Sequence, residues 1–278
     1  MPELPEVETV VRTLRPVLLN RRITRVELTR PDIVTPADCD LPKRLAGRTV
    51  TDITRRGKRI VLTLDDENRF YVHLGMTGRL TVEPSAAPVE KHTHLVARLS
   101  DRGRELRFRD PRRFGGIWWM GTETCDDGIG PEPLTLRIAQ LSRRLARTTR
   151  AIKNVLLDQT VIAGVGNIYA DEALFAARIH PLQRANELAR DEVRRLNRAV
   201  KLTLRRAVRH RGSTLRDYVD AEGVAGAFQT LHRVYDRAGE PCRSCKHPIE
   251  RIVLGGRSTH FCPNCQAPQP ARASRRQR

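Results

Sequence analysis

The chain has 278 residues, 39% of them hydrophobic, which is enough for roughly two domains with buried cores. It carries 51 lysines and arginines against 32 aspartates and glutamates, a net charge of +19. This charge indicates a polyanionic partner, with nucleic acid favoured over an anionic membrane surface. No apolar run approaches the ~20 residues that span a bilayer, and the acidic N-terminus is unlike a signal peptide. These features favour the cytoplasm.

The first predicted element is a helix over residues 5–19. Pro5 suits the first helical position, and the carboxylate of Glu6 favours the positive end of a helix. Apolar residues recur at helical spacing and predict a core-facing stripe: Val7, Val10, Val11, Leu14 and Leu18. The helix therefore anchors the terminus, with Pro2 and Glu3 directly in front of a rigid element.

Residues 23–120 are predicted to be rich in β-strands. Short runs with frequent period-2 alternation are ITRVEL, RIVLTL, FYVHLG, HLVARL, ELRFR and GIWWM. Asp101-Arg102-Gly103, between two of these runs, indicates a hairpin turn. Strands in such succession predict an antiparallel sandwich or barrel. The Pro/Gly-rich stretch at 128–133 then marks a boundary.

From Leu134 the pattern becomes helical. One long helix is predicted by apolar spacing and by Gly212 as its cap; the apolar residues are Val193, Leu196, Val200, Leu204 and Val208. Its arginine-rich faces are either solvated or close to DNA. Upstream, Gly164-x-Gly166-Asn167 precedes another helix and is either a structural turn or a phosphate contact. The polar, basic tail at 269–278 is predicted to be disordered.

Two C-x-x-C pairs, separated by sixteen residues, predict one structural Zn²⁺ with four thiolate ligands: Cys242, Cys245, Cys262 and Cys265. Four protein ligands leave no open position on a tetrahedral ion, so the zinc is not catalytic. Between the pairs, Gly255-Gly256 indicates the turn of a hairpin with Arg257 at its tip. Cys39 and Cys125 are predicted to be free thiols.

Taken together, these stretches resemble the Fpg/Nei family of bacterial formamidopyrimidine-DNA glycosylases. The matching segments, in the family's order, are MPELPEVETV at the start, RRGKRI around Lys58, HLGMTG at 73–78, KHTHL at 91–95, DPRRFG at 110–115, GPEP at 130–133, VGNIYADEALF at 165–175 and GRSTHFC in the cysteine finger. The resemblance implies an α+β multidomain fold, with an N-terminal antiparallel β-sandwich and flanking helices, a helix-two-turn-helix domain and a zinc-finger hairpin. The implied parts are residues 1–130, 131–237, 238–268 and the tail 269–278.

The resemblance implies a bifunctional DNA glycosylase and abasic-site lyase, monomeric, acting on duplex DNA that contains oxidised purines. Pro2, exposed once Met1 is removed, would be the nucleophile that forms a Schiff base, and Glu3 the general acid/base. Lys58, on the predicted β segment, would contact the lesion and the DNA backbone. Cleavage would follow by β,δ-elimination.

The implied DNA contacts form three groups. His73, Asn167 and Arg257 resemble the phosphate clamp. Met76, Arg112 and Phe114 match the residues that the family inserts into the duplex to fill the space left by an extruded base. Arg216 resembles a position in the loop that wraps this base.

Two departures concern the base-wrapping loop. The family often has Gly-Gly before it, whereas Arg211 precedes Gly212 here. The family's V-Y-G-R has Asp236 in place of its glycine, and aspartate tolerates positive φ better than most residues. Two alternatives remain, a Nei-like glycosylase for oxidised pyrimidines and a non-catalytic zinc protein that binds damaged DNA.

Overall fold

The computed structural model describes three stretches of the chain: residues 1–101, 103–124 and 128–267. Arg102 of the predicted turn, the predicted free thiol Cys125 and the predicted tail at 269–278 lie outside them. The chain divides into two compact units. Unit 1 comprises Met1–Asp127 and Ala207–Gln229, and unit 2 comprises Gly128–Arg206 and Thr230–Arg278. Among the described helices, none combines the length and apolar character that a bilayer crossing requires.

Unit 1 is a sandwich of two sheets. Its strands are β1 (Ile23–Leu28), β2 (Val34–Thr35), β3 (Val50–Arg56), β4 (Arg59–Leu64), β5 (Arg69–His73), β6 (Arg79–Pro84), β7 (Thr93–Leu99), β8 (Arg104–Arg109) and β9 (Gly116–Gly121). One sheet has the order β1-β7-β8-β6 and the other β2-β9-β5-β4-β3. The pairing is antiparallel as predicted, except that the two-residue β2 runs parallel to β9.

Helix α1 (Leu4–Leu18) confirms the predicted N-terminal helix, and its apolar stripe is buried. The stripe packs into one core with side chains from both sheets and with the short helix α2 (Leu41–Leu45). Tyr218 and Ala221, which lie far along the chain, also belong to this core. The segment after residue 207 is therefore an integral part of unit 1.

Unit 2 contains helices and one hairpin: α3 (Ile138–Leu145), α4 (Ile152–Leu157), α5 (Asn167–Ala177), most of α6 (Arg190–Arg209), β10 (Glu250–Leu254) and β11 (Arg257–Phe261). The apolar positions predicted for the long helix are all buried in α6. Asn197 of α6 donates to the carbonyl of Leu136 at 3.1 Å, and Arg195 donates to that of Ala177 at 3.2 Å. The helical pattern predicted from Leu134 onward is therefore confirmed, whereas the four-part division of the chain stays a prediction.

Candidate functional site

The carboxylate of Glu6 holds the chain terminus in place. Its Oε2 accepts a hydrogen bond from the backbone N–H of Glu3 at 2.8 Å, and its Oε1 accepts one from Ser213 at 2.7 Å. Pro2, Glu3 and Glu6 are all buried. A Cβ on Gly212 would lie 2.6 Å from Glu6 Oε1, so glycine is required there. The structure thus brings Pro2 and Glu3 together at the start of α1 and fixes this terminus to the segment after α6.

Lys58 lies in a tight turn and not on a strand, which corrects the prediction. Strand β3 ends at Arg56 and β4 begins at Arg59, leaving Gly57 and Lys58 as the hairpin connection. Gly57 has φ 59°, a conformation that glycine adopts freely and that reverses the chain. The Lys58 side chain is nevertheless only 9% exposed. Lysine is rarely buried to this extent, so this one differs from an ordinary surface lysine.

His73 lies beside Lys58, because it pairs with Arg59 across β4 and β5. Its Nδ1 accepts the N–H of Gly75 at 3.2 Å, which leaves Nε2 to carry the ring hydrogen. Its ring meets that of Trp118 edge-on, with 6.2 Å between centroids. Burial, followed by the positive charges of Lys58 and Arg59, lowers the pKa of His73 to about 4. His73 is therefore a neutral hydrogen-bond donor near pH 7.

We expect the ring of His73 to remain neutral from pH 5.5 to 8. The pKa of His73 is about 4 in the folded protein, against an ordinary value of 6.5. As the pH falls from 6.5 towards 4, the ring is therefore protonated only in the unfolded chain. Stability should therefore decrease over that window, by up to about 2 kcal/mol at pH 5. The histidine Hε1 resonances report the pKa, and His73→Gln assigns the signal. In the same variant, the free energy of unfolding should depend less on pH between pH 6.5 and pH 4. A midpoint near pH 6.5 would contradict this prediction.

Asp110 joins the two loops that follow β5 and β8. It is fully buried, its Oδ1 accepts the hydroxyl of Thr77 and its Oδ2 accepts the N–H of Gly115 at 2.7 Å. A Cβ on Gly75 would lie 2.3 Å from the nitrogen of Gly115, so the two loops are in backbone contact. This role of Asp110 was not predicted from the sequence, although an aspartate before Pro-Arg-Arg is a turn signal.

These joined loops present the three predicted insertion residues together. Met76 is 42% exposed and Phe114 is 57% exposed, which is unusual for large apolar side chains. The guanidinium of Arg112 lies over the Phe114 ring, 4.6 Å from its centroid. The buried Asp110 is hydrogen-bonded to both loops, so the loops that carry these exposed side chains are joined to each other.

Arg216 lies elsewhere in unit 1, in an exposed turn that follows Ser213. The hydroxyl of Thr214 donates to the carbonyl of Tyr218 at 2.9 Å and accepts the N–H of Gly226 at 2.8 Å. These bonds close the turn and leave Arg216 on its outer side. The turn belongs to the segment that Glu6 joins to the chain terminus.

In unit 2, the four predicted zinc ligands converge. Their sulfur atoms all lie within 4.8 Å of one another. Sγ–Sγ distances are 3.9 Å for Cys242 and Cys265 and 3.4 Å for Cys245 and Cys262. Zinc–thiolate bonds of about 2.3 Å imply tetrahedral edges of roughly 3.8 Å, so this cluster fits one Zn²⁺. The N–H of Ser244 points at Cys242 Sγ from 3.4 Å and supports the charge of a thiolate ligand.

The hairpin between the ligand pairs presents Arg257 as predicted. Gly255 and Gly256 form its two-residue turn with φ of 57° and 72°, as a type I′ turn requires. Arg257 opens β11 and is exposed. Asn167, the first residue of α5, donates its amide to the carbonyl of Ser258 at 2.9 Å. The structure therefore brings these two members of the predicted clamp, Asn167 and Arg257, close together.

A buried ion pair fixes this hairpin to the helices of unit 2. Lys153 Nζ lies 2.7 Å from Asp171 Oδ1, and both side chains are 0% exposed. The ammonium also donates to the carbonyl of Ser258 and the hydroxyl of Thr259, both at 2.8 Å. The N–H of His260 donates to Asp171 Oδ2 at 2.9 Å. This pair was not predicted from the sequence, because a lysine and an aspartate on two helices carry no signal of their contact.

Family models match three parts of the chain in the order expected. The formamidopyrimidine-DNA glycosylase N-terminal domain matches residues 1–117, the formamidopyrimidine-DNA glycosylase H2TH domain matches 129–219, and the zinc finger found in FPG and IleRS matches 239–268. Together they cover most of the chain, including the Pro2–Glu3 terminus and the cysteine cluster.

Among curated proteins, the chain is similar to formamidopyrimidine-DNA glycosylases of several bacteria. That of Herpetosiphon aurantiacus is 46% identical over 275 residues, covering 96% of this chain and 100% of the relative. That of Geobacillus kaustophilus is 45% identical, with the same coverage.

The fold of this chain is also similar to those of solved Fpg structures. A Lactococcus lactis Fpg mutant in complex with DNA containing Fapy-dG has a TM-score of 0.90 and 37% identity, covering 96% of this chain and 100% of that one. The MutM (Fpg) protein of Thermus thermophilus has a TM-score of 0.86 and 41% identity, covering 97% and 100%. Because three family models match the chain in order and relatives of 45–46% identity are covered over their full length, the chain belongs to the formamidopyrimidine-DNA glycosylase family, zinc-finger DNA glycosylases of base excision repair.

Proposed function

We propose that this protein excises oxidised purines, such as 8-oxoguanine and formamidopyrimidines, from duplex DNA and then cleaves the strand by β,δ-elimination. The observation that carries the proposal is the buried Pro2–Glu3 terminus, which Glu6 holds at the start of α1. A frayed terminus could not place an amine reproducibly against a sugar. This one is held by the capping carboxylate and by the segment after α6.

The chemistry requires an unprotonated amine at the sugar C1′. An ordinary α-amine with a pKa near 7.9 is about 10% neutral at pH 7, whereas a lysine near 10.4 is about 0.04% neutral. Once Met1 is removed, the nitrogen of Pro2 attacks C1′, and the C1′–base bond breaks as the base leaves with its electron pair. The Pro2 nitrogen loses its proton, the C1′–O4′ bond breaks as O4′ is protonated, and an iminium between Pro2 and C1′ results. The iminium withdraws electrons from the sugar: loss of a C2′ proton expels the 3′ phosphate, and loss of the C4′ proton then expels the 5′ phosphate. Glu3 gives and takes the protons in these steps.

The remaining site residues bind and shape the DNA. His73, with its neutral Nε2–H, and Arg257 are suited to phosphate oxygens. The exposed Met76 and Phe114 replace stacking where a base is extruded, and Arg112 can hydrogen-bond its orphaned partner. Lys58 contacts the lesion and the backbone, Asn167 contacts phosphate, and Arg216 lies over the extruded base.

Oxidised pyrimidines are a second candidate substrate class. The observation in their favour is a Lactococcus lactis Fpg, 36% identical to this chain, whose structure was solved with DNA containing an oxidised pyrimidine. A non-catalytic role is disfavoured by the retention of Pro2, Glu3 and Lys58 in one unit.

Borohydride trapping on matched duplexes tests these alternatives. We expect a covalent adduct on 8-oxoguanine and abasic duplexes, and a weaker one on an oxidised pyrimidine. Equal or stronger trapping on the pyrimidine would favour the second candidate. Binding without any adduct would overturn the enzyme proposal.

Phosphate contacts should dominate the affinity. Roughly four to six contacts predict a log–log salt slope of about −4 to −5. Lys58→Ala and Arg257→Ala should each flatten that slope by about one unit. Titrations of the protein with a lesion duplex at several salt concentrations measure this slope. Arg25→Ala, on an exposed arginine of β1, serves as the matched control. An affinity independent of salt would contradict the proposal.

We also expect a monomer in the bacterial cytoplasm, associated with the nucleoid when bound to DNA. The support is that the curated relatives are bacterial and that a solved structure similar to this chain is a complex with DNA. Size-exclusion chromatography with light scattering tests the first point, and a fluorescent fusion tests the second.

A further inference from the structure

A buried carboxylate organises the loop between Gly212 and Gly226. Asp220 is 0% exposed, and its Oδ1 accepts the N–H groups of Glu222 and Val224, both at 3.0 Å. Its Oδ2 accepts Nε of Arg211 at 2.9 Å and also Nη2 of the same guanidinium. That Nη2 lies 3.1 Å from the carboxylate of Glu222 as well. Arg211, just before the loop, is therefore paired with two acids in the second half of the loop.

The backbone conformation of Arg211 is unusual for a residue other than glycine. Its φ is 61°, in the left-handed region that glycine adopts freely and that costs other residues energy. An arginine here must therefore contribute an interaction that glycine lacks. The pKa of its guanidinium is raised, chiefly by the hydrogen bond to Asp220, which is consistent with a close ion pair.

The inner side of the loop lies against the four-stranded sheet. Arg79 Nε donates to the carbonyl of Asp217 at 2.9 Å, and the N–H of Val82 donates to that of Ala221 at 3.2 Å. The outer side, which carries Arg216, is exposed. The loop is thus attached to the sheet along one side and closed at its base by the pair of Arg211 with the two acids.

We propose that the ion pair of Arg211 with Asp220 and Glu222, here called the loop latch, keeps this loop closed in the free protein. Arg211 is then a positioning residue for recognition of the extruded base. The inference rests on the proposed function, in which Arg216 lies over that base. A loop already closed needs no ordering when DNA binds, so a larger fraction of the protein is competent and the apparent affinity is higher.

Three variants test the latch. Arg211→Asn tolerates the left-handed backbone but removes the charge, and Asp220→Asn removes the opposite charge. Arg211→Lys restores a charge without the bidentate geometry and should rescue in part. In the free protein, we expect the amides of Glu222 and Val224 to exchange roughly tenfold faster in the first two variants.

The kinetic test compares an 8-oxoguanine duplex with a duplex carrying a preformed abasic site under single-turnover conditions. We expect the half-saturating concentration for the 8-oxoguanine duplex to rise roughly fivefold in Arg211→Asn and Asp220→Asn, with a nearly unchanged maximal rate. The abasic duplex has no base to recognise, so its cleavage should be unaffected.

Unchanged amide exchange in Arg211→Asn would overturn the latch. Equal losses on both duplexes would also overturn it, since they would indicate a general structural defect. A wild-type protein that excises no base would overturn the proposed function instead, and the exchange comparison would still decide whether the latch exists.

Discussion

A preparation of this protein that keeps Met1 should bind lesion DNA yet form no covalent adduct with it. The nitrogen of Pro2 would then belong to an amide, whose lone pair is delocalised into the carbonyl. We expect trapping to decrease on the order of 10³-fold or more. Met1 is 47% exposed and Pro2 is buried, so an added residue should extend into solvent and leave the fold intact.

The matched control is the same preparation treated to remove Met1, so that Pro2 becomes the first residue. It should regain full trapping, and mass spectrometry of the cross-linked peptide should place the adduct on Pro2. An adduct on Lys58, or normal trapping by the blocked form, would rule out the terminal amine as the nucleophile.

Glu3→Gln tests the second half of the same mechanism. The backbone N–H of Glu3 donates to Glu6, and a glutamine oxygen can still accept the backbone N–H of Glu6 in the capping box, so the terminus should keep its position. The variant retains the amine but loses the acid/base. Base excision should therefore be blocked, with weaker effects on a preformed abasic site.

The sequence was sufficient where local chemistry determines structure. The α1 stripe follows helical spacing and is buried as predicted. The hairpin turn at Gly255-Gly256 follows from two residues that both adopt positive φ. The zinc cluster follows from ligand spacing alone, because each C-x-x-C turn can place two thiolates on one ion. Each of these features is encoded within a few consecutive residues.

The sequence was insufficient where long-range contacts decide. Strand β3 was not predicted as a separate strand, because an irregular register between Val50 and Asp52 breaks the period-2 pattern. The burial of Lys58 in a turn and the pairing of Lys153 with Asp171 depend on distant parts of the chain. No alternation of residue types encodes such contacts. Arg211 was recognised only as a departure, since its acidic partners became apparent only in the folded loop.

Loss of the zinc should abolish DNA binding while unit 1 stays folded. A two-stranded hairpin is marginal on its own, and an apparent zinc-binding energy of about 10–16 kcal/mol greatly exceeds what its few contacts supply. Cys262 is fully buried and packs with Phe175 of α5, so the metal site also supports the hairpin against the helices. Without zinc, the contacts of Ser258 with Asn167 and Lys153 should loosen, and Arg257 should lose its position.

Cys262→Ser tests this in the full chain, with Cys39→Ser as the matched control, because Cys39 is a thiol outside the cluster. We expect the Cys262 variant to lose its zinc and to bind lesion duplex at least about 100-fold more weakly, a loss that combines the phosphate contacts of Arg257 and Asn167. Amide exchange should remain slow in the sheets of unit 1 and become fast in β10 and β11. Full affinity in a preparation shown to be free of metal would contradict the role given to the hairpin, because Arg257 can contact phosphate reproducibly only if the metal holds its turn in place.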